Sequence, residues 1–194
     1  MPDLARASAR ASALATVSRP GVGPDCGVRL SERPADALVQ VAVPAAARAA
    51  VADALGHALP DPLTAIDIPG KSTRLLWVSA DQWWVEARDG TAPADLAARL
   101  AAAGARPTDQ TQARVVVHLA GEHTRDLLAK GWALDLHPRA FPAGACAQSS
   151  LAAVSVMLAA VGGGAYDLYI PRSFAQSLWD WLLDAGAEFG VGVD

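Results

Sequence analysis

Two adjacent tryptophans in a strand constrain this chain more than any other feature. Leu75-Leu76-Trp77-Val78 reads as a buried strand, and Ala80-Asp81-Gln82-Trp83-Trp84-Val85-Glu86 turns tightly into a second one. Asp81 suits that turn because a short carboxylate can bond to backbone amides two residues on. Successive side chains of a strand point to opposite faces, so Trp83 and Trp84 lie on opposite sides of one sheet. One indole can belong to the core, and its neighbour must pack under a helix, over a loop or into a partner.

The segments before this pair supply strands and a helix. Cys26 to Glu32 and Leu38 to Val43 alternate apolar and polar residues across a Pro-containing break, the pattern of two short strands. Pro44 opens a helix without losing a hydrogen bond, the alanines after it are strong helix formers, and Gly56 can supply a left-handed C-terminal residue. The loop from Leu59 to Thr73 ends in Gly70-Lys71-Ser72, which resembles part of a phosphate-binding loop. That motif needs a glycine where this chain has Ala65 and a helix where it has the strand Arg74 to Ser79. Lys71 is therefore a solvated loop charge.

After the tryptophan hairpin the spacing predicts a helix over Thr91 to Gly104 with Leu96 and Leu100 buried, a β-branched strand over Arg114 to Leu119, and a helix over Glu122 to Lys130 that stops at Gly131. Ala145 to Leu151, Val154 to Val161 and Ala165 to Ile170 read as three antiparallel strands, the last two joined by Gly162-Gly163-Gly164. Ser173 is placed to cap a last helix, Phe174 to Ala185, which Gly186 ends. Phe174, Leu178, Trp181, Leu182 and Ala185 share one face of it, and Trp179 and Leu183 fall on an adjoining face. That apolar arc is wider than a surface helix needs. Trp179 is then either buried deep in this chain or in contact with another one.

Composition narrows the function classes. The chain has 194 residues, is 52% hydrophobic and only 19% charged, against about a quarter charged in ordinary domains. Its net charge of -4, with 16 basic residues scattered along it, argues against a nucleic-acid surface. The longest apolar stretch, Leu151 to Gly164, is interrupted by Ser155 and falls short of the roughly 18 to 20 residues of a membrane span. Cys26 and Cys146 are far apart and lack CxxC partners, which fits two thiols in a reducing cytoplasm. His57, His118, His123 and His137 show no i,i+4 helical pair, and no G-x-S-x-G or G-x-G-x-x-G motif is present. Catalytic, cofactor-binding and metal-binding residues are accordingly expected to be none. Asp109, in the polar turn Asp109-Gln110-Thr111, is either a strand-entry cap or a ligand contact.

The segment Gly121 to Leu151 joins a helix, a proline-set loop and a strand without an evident catalytic group, a piece shaped to fit something else. Within it, Leu127-Leu128-Ala129-Lys130-Gly131-Trp132-Ala133-Leu134-Asp135-Leu136-His137-Pro138 with Phe141-Pro142 is similar to the most recognisable segment of the sarcosine oxidase gamma subunit family. Val28 to Pro34, Arg74 to Trp84, Asp109-Gln110-Thr111 with Arg114, Pro171 to Ala175 and Leu178 to Leu182 resemble that family in the same order. The resemblance spans roughly residues 25 to 189 and stops short of the N-terminal stretch.

That resemblance implies an α+β fold of two βαβ-type halves, with largely antiparallel sheets and flanking helices, like the folate-binding domain of glycine cleavage aminomethyltransferase. The halves are expected at about 25–110 and 111–190, preceded by a flexible tail or arm over 1–24. It implies a non-catalytic structural subunit of a heterotetramer that oxidises sarcosine to glycine. FAD, FMN, NAD and zinc are expected on the alpha, beta and delta partners, tetrahydrofolate accepts the one-carbon unit, and the chief contact is with alpha. Candidate interface residues are Trp83, Trp132, His137, Arg139, Phe141 and Trp179. Related folate-binding proteins carry Lys-Gly-Cys-Tyr, whereas here Lys130-Gly131 is followed by Trp132, so that cysteine chemistry is absent. The alternatives are the corresponding subunit of an N-methylglutamate dehydrogenase-like complex, and a stand-alone folate-binding aminomethyltransferase-like protein with Asp109 holding the pterin.

Overall fold

A computed structural model describes residues 26–194, and the expected N-terminal tail lies outside them. The strands are β1 (Val28–Glu32), β2 (Ala37–Ala42), β3 (Ala65–Asp67), β4 (Thr73–Ser79), β5 (Gln82–Ala87), β6 (Arg106–Asp109), β7 (Arg114–Ala120), β8 (Cys146–Leu151), β9 (Val154–Gly162), β10 (Ala165–Pro171) and β11 (Val191–Val193). The α-helices are α1 (Arg48–Leu55), α2 (Pro93–Ala102), α3 (Thr124–Ala129) and α4 (Ala175–Gly186). A six-stranded sheet runs β11-β1-β7-β10-β9-β8 and a five-stranded sheet runs β3-β4-β5-β2-β6. Every pairing is antiparallel except that of β1 with β11.

The tryptophan pair shows how the layers are stacked. Trp83 and Val85 of β5 pack on Val51 and Leu55 of α1 and Leu96 and Leu100 of α2. Trp84 points the other way and, with Leu38 and Leu76, meets Val116, Met157 and Tyr169 of the six-stranded sheet. The far side of that second sheet carries Val117, Leu119 and Leu168 against Leu127 and Leu128 of α3 and Leu178, Trp179 and Leu182 of α4. The order is thus helices, sheet, sheet, helices. Each large apolar side chain so buried contributes about 1.5–3 kcal/mol. The two sheets are also joined along one edge, where Ala65 N donates to Gly144 O at 2.7 Å and Cys146 N to Leu63 O at 2.8 Å.

Three features differ from the sequence expectation, each for a local reason. By sequence β1 belongs to the first half, yet it pairs with β7 and β11 in the second sheet. The chain crosses back to β2 through a short connector that begins with Arg33, whose N–H donates to Val116 O at 2.8 Å. The buried stripe of α4 is Ala175, Leu178, Trp179, Leu182 and Gly186. Phe174 precedes the helix in a 3-10 turn and is 49% exposed, and no side chain caps the helix start. Gly186 is not a left-handed stop: an added Cβ there would lie 2.6 Å from Val191 Cγ2, so it is small to admit β11. The strands β3, β6 and β11 are short and lack alternation, and periodicity did not mark them.

Between the sheets lies a buried ionic network. Asp167 of β10 is fully buried and its Oδ2 accepts from Arg74 of β4 and, at 2.6 Å, from Arg33 of the connector. Its Oδ1 is 2.6 Å from His118 Nδ1 on β7. Arg74 in turn donates from Nε and Nη2 to the two oxygens of Asp67, each at 2.8 Å. Beside it Tyr169 donates its hydroxyl to Glu86 Oε2 at 2.7 Å. Burial disfavours the charged form of Asp167, but the His118 hydrogen bond and the nearby Arg33 and Arg74 outweigh it and hold the carboxyl below its ordinary value. Burial dominates at Glu86, whose carboxyl is pushed up despite Tyr169 and Arg74.

A depressed folded-state pKa adds stability above the ordinary carboxylate range and loses it as pH falls through the folded value. Asp167→Ala is expected to cost about 3–5 kcal/mol at neutral pH, because it strips the partner from buried cations. Denaturant titration measures this, and the gap between variant and parent is expected to narrow below about pH 4. An unchanged unfolding midpoint at pH 7 would remove the network from the stabilising interactions.

Candidate functional site

Burial sorts the candidate interface residues into two groups. Trp83, Trp132, Phe141 and Trp179 retain 5%, 6%, 7% and 2% of their surface. Trp83 Nε1 donates to Pro60 O at 3.0 Å within its own half. The indole N–H groups of Trp132 and Trp179 have no partner among the described residues, so packing alone holds those rings. These four side chains have almost no surface left to offer another chain. His137 and Arg139 are exposed.

Both exposed residues sit on a loop that local bonds fix. Asp135 Oδ1 accepts from His137 N at 2.8 Å, and His137 Nδ1 accepts from Arg139 N at 3.2 Å. His137 O accepts from Ala140 N and Phe141 N, each at 2.8 Å. Leu136 and Phe141 act as pegs into the core, and the Phe141 ring stacks on Tyr166 at 6.4 Å. The start of the loop is held against α4: a Cβ on Gly131 would lie 2.7 Å from Trp181 Cζ2. The loop presents Leu134, 46% exposed, beside His137 and Arg139 on a backbone with little freedom.

The titratable groups elsewhere are engaged structurally. His118 is tied to Asp167, His123 Nδ1 lies 3.0 Å from Asp126 Oδ2, and His57 Nδ1 lies 2.8 Å from Ala58 O. Asp109 Oδ1 accepts from Thr111 N at 2.8 Å, the strand-entry cap. Cys146 is buried and its thiol is pushed up to about 12 by burial, which leaves it a poor nucleophile at neutral pH. Among the described residues no group of three His, Cys, Asp or Glu side chains could hold a metal ion, and no helix is long and apolar enough to cross a membrane.

One feature escaped the residue reading. A cleft of about 430 Å³ opens where β7 begins and β10 ends, lined by Arg33, Arg114 and Arg172 among others. The three arginines come from separate segments of the chain. Their only signal in the sequence is that each falls in a stretch resembling the sarcosine oxidase gamma subunit family.

Comparison with known proteins identifies the family. The profile described as "Sarcosine oxidase, gamma subunit family" matches residues 39–188. The chain belongs to that family. Its relatives include the sarcosine oxidase subunit gamma of Corynebacterium sp. (strain P-1), 34% identical over 73% of this chain and 70% of that one. The subunit gamma of an Arthrobacter species is 32% identical over 76% of this chain and 74% of its own length. A chain of the heterotetrameric sarcosine oxidase from Corynebacterium sp. U-96, solved with pyrrole 2-carboxylate, superposes with a TM-score of 0.81 at 27% identity, covering 93% of this chain and 96% of that one. Aminomethyltransferase T of the glycine cleavage system from Bartonella henselae matches at a TM-score of 0.59 and 17% identity, over 87% of this chain and 48% of that one, a likeness of fold alone.

For this gamma-family chain the seat of the exposed loop is testable. Gly131→Ala is expected to destabilise by about 1–3 kcal/mol through overpacking against Trp181, read from thermal or denaturant unfolding. A variant as stable as the parent would mean that the loop is not held by this contact.

Proposed function

We propose that the chain is the non-catalytic, structural gamma subunit of a heterotetrameric sarcosine oxidase. The observation that carries this reading is the end-to-end likeness to a chain of that enzyme, 93% of this chain against 96% of the other. The interior charges support it, because they are spent on joining the two sheets. The oxidation of sarcosine to glycine, with FAD, FMN, NAD and zinc, and the transfer of the one-carbon unit to tetrahydrofolate then fall to the alpha, beta and delta subunits. The assembly is read as cytoplasmic, which the two free cysteines, Cys26 and Cys146, support.

The proposed docking surface is the loop carrying Leu134, His137 and Arg139, and the proposed occupant is the alpha subunit. Support comes from its fixed backbone, which loses little entropy on binding, and from an exposed leucine beside a positive charge. Coexpression with the three partner subunits, followed by sizing and a flavin spectrum, tests the assignment. The chain is expected to comigrate with the flavin-bearing complex. Leu134→Asp with Arg139→Glu is expected to weaken that assembly at least ~10-fold, about 1.4 kcal/mol, with unfolding unchanged. A chain that stays monomeric and binds folate saturably would contradict the structural role.

A further inference from the structure

We infer that the cleft bounded by Arg33, Arg114 and Arg172 binds a carboxylate, held by Arg114 and Arg172, with an apolar body against the neighbouring wall. Arg114 opens β7 and lies opposite Pro171 at the end of β10. Arg172 follows immediately, its N–H donating to Ala113 O at 2.9 Å. Both guanidinium side chains line the same cleft, Arg114 from the start of β7 and Arg172 from the 3-10 turn that follows β10.

Glu32 and Asp36 share the cleft with them, but no ion pair among the described residues engages Arg114 or Arg172, whereas Arg33 is paired with Asp167. Arg172 Nε donates to Gln112 O at 2.7 Å and its Nη2 to Gln112 Oε1 at 3.4 Å, which orients the guanidinium without cancelling its charge. Arg114 lies over the Trp84 ring at 5.4 Å and reaches Ala113 O only at 3.4 Å. It is half-buried, and burial depresses its pKa, the sign of a cation desolvated without a compensating anion. Arginine forks match a planar carboxylate by paired hydrogen bonds.

The rest of the cleft limits what that carboxylate belongs to. Pro34, Leu38 and Val116 give it an apolar wall. Glu32 and Asp36 also line it. A volume of about 430 Å³ suits a small organic acid, within the range of roughly 300–1,000 Å³ for small-molecule sites. The same chemistry is supplied by a carboxylate of a partner subunit reaching into the cleft.

Benzoate is the probe, titrated calorimetrically into the purified full chain. Saturable binding at one site is expected, with the dissociation constant raised at least tenfold by Arg114→Gln and by Arg172→Gln. The second variant alters an exposed side chain and keeps the test open where the first disturbs folding. Assembly with the partner subunits separates the two sources. Benzoate binding lost in the variants with assembly unchanged assigns the site to a free acid, and assembly weakened at least tenfold assigns it to a partner carboxylate. Benzoate heats that are absent or insensitive to both substitutions, together with unaltered assembly, would overturn the inference.

Discussion

The contact between Asp167 and Arg74 is the constraint on which the rest of the structure depends. Each side chain is nearly without solvent, and they come from opposite sheets. A carboxylate in that position stays charged only if cations and donors surround it, and Arg33 and His118 complete the set. Arg33 reaches the site because the chain crosses there from β1 in one sheet to β2 in the other. The strand that joins the second sheet from the first segment and the network that locks the sheets together are thus one device. Apolar packing brings the sheets face to face, and the network fixes their register.

His118 is bonded to Asp167 and Glu86 to Tyr169, and burial pushes the Cys146 thiol up. Two surface elements stand apart from these contacts. One surface element is the loop around His137, whose backbone is fixed by two apolar pegs and local hydrogen bonds. The other is the arginine-lined cleft at the mouth between the sheets. The chain belongs to the sarcosine oxidase gamma subunit family, and its interior charges join its two sheets.

Local chemistry was legible where it was self-contained. Trp83 and Trp84 announced that both faces of their sheet are covered, and the structure covers one with helices and the other with a second sheet. The triple glycine at 162–164 joins two strands as its composition demands, with all three residues at positive φ. Long-range features were not legible, because they depend on residues far apart in sequence: Arg74 and Asp167 are 93 positions apart. Rotation of α4 also escaped, since its spacing admits two neighbouring faces. Packing of Trp179 under the sheet and the narrow gap at Gly186 chose the one that leaves Phe174 outside. In the loop, tryptophan and phenylalanine look like anchors for a partner from sequence alone, and only burial shows that they anchor the loop to its own core.

The most direct measurement of the central claim is sarcosine turnover by the complete complex assembled with Asp109→Asn and His118→Gln in this chain. The two positions carry the acid proposed for a pterin and the histidine paired to a carboxylate, and both substitutions preserve hydrogen bonding. A supporting subunit predicts kcat within about twofold of the parent complex. A loss of about 10²-fold or more with assembly intact, the scale of removing a general acid or base, would contradict it and place chemistry in this chain.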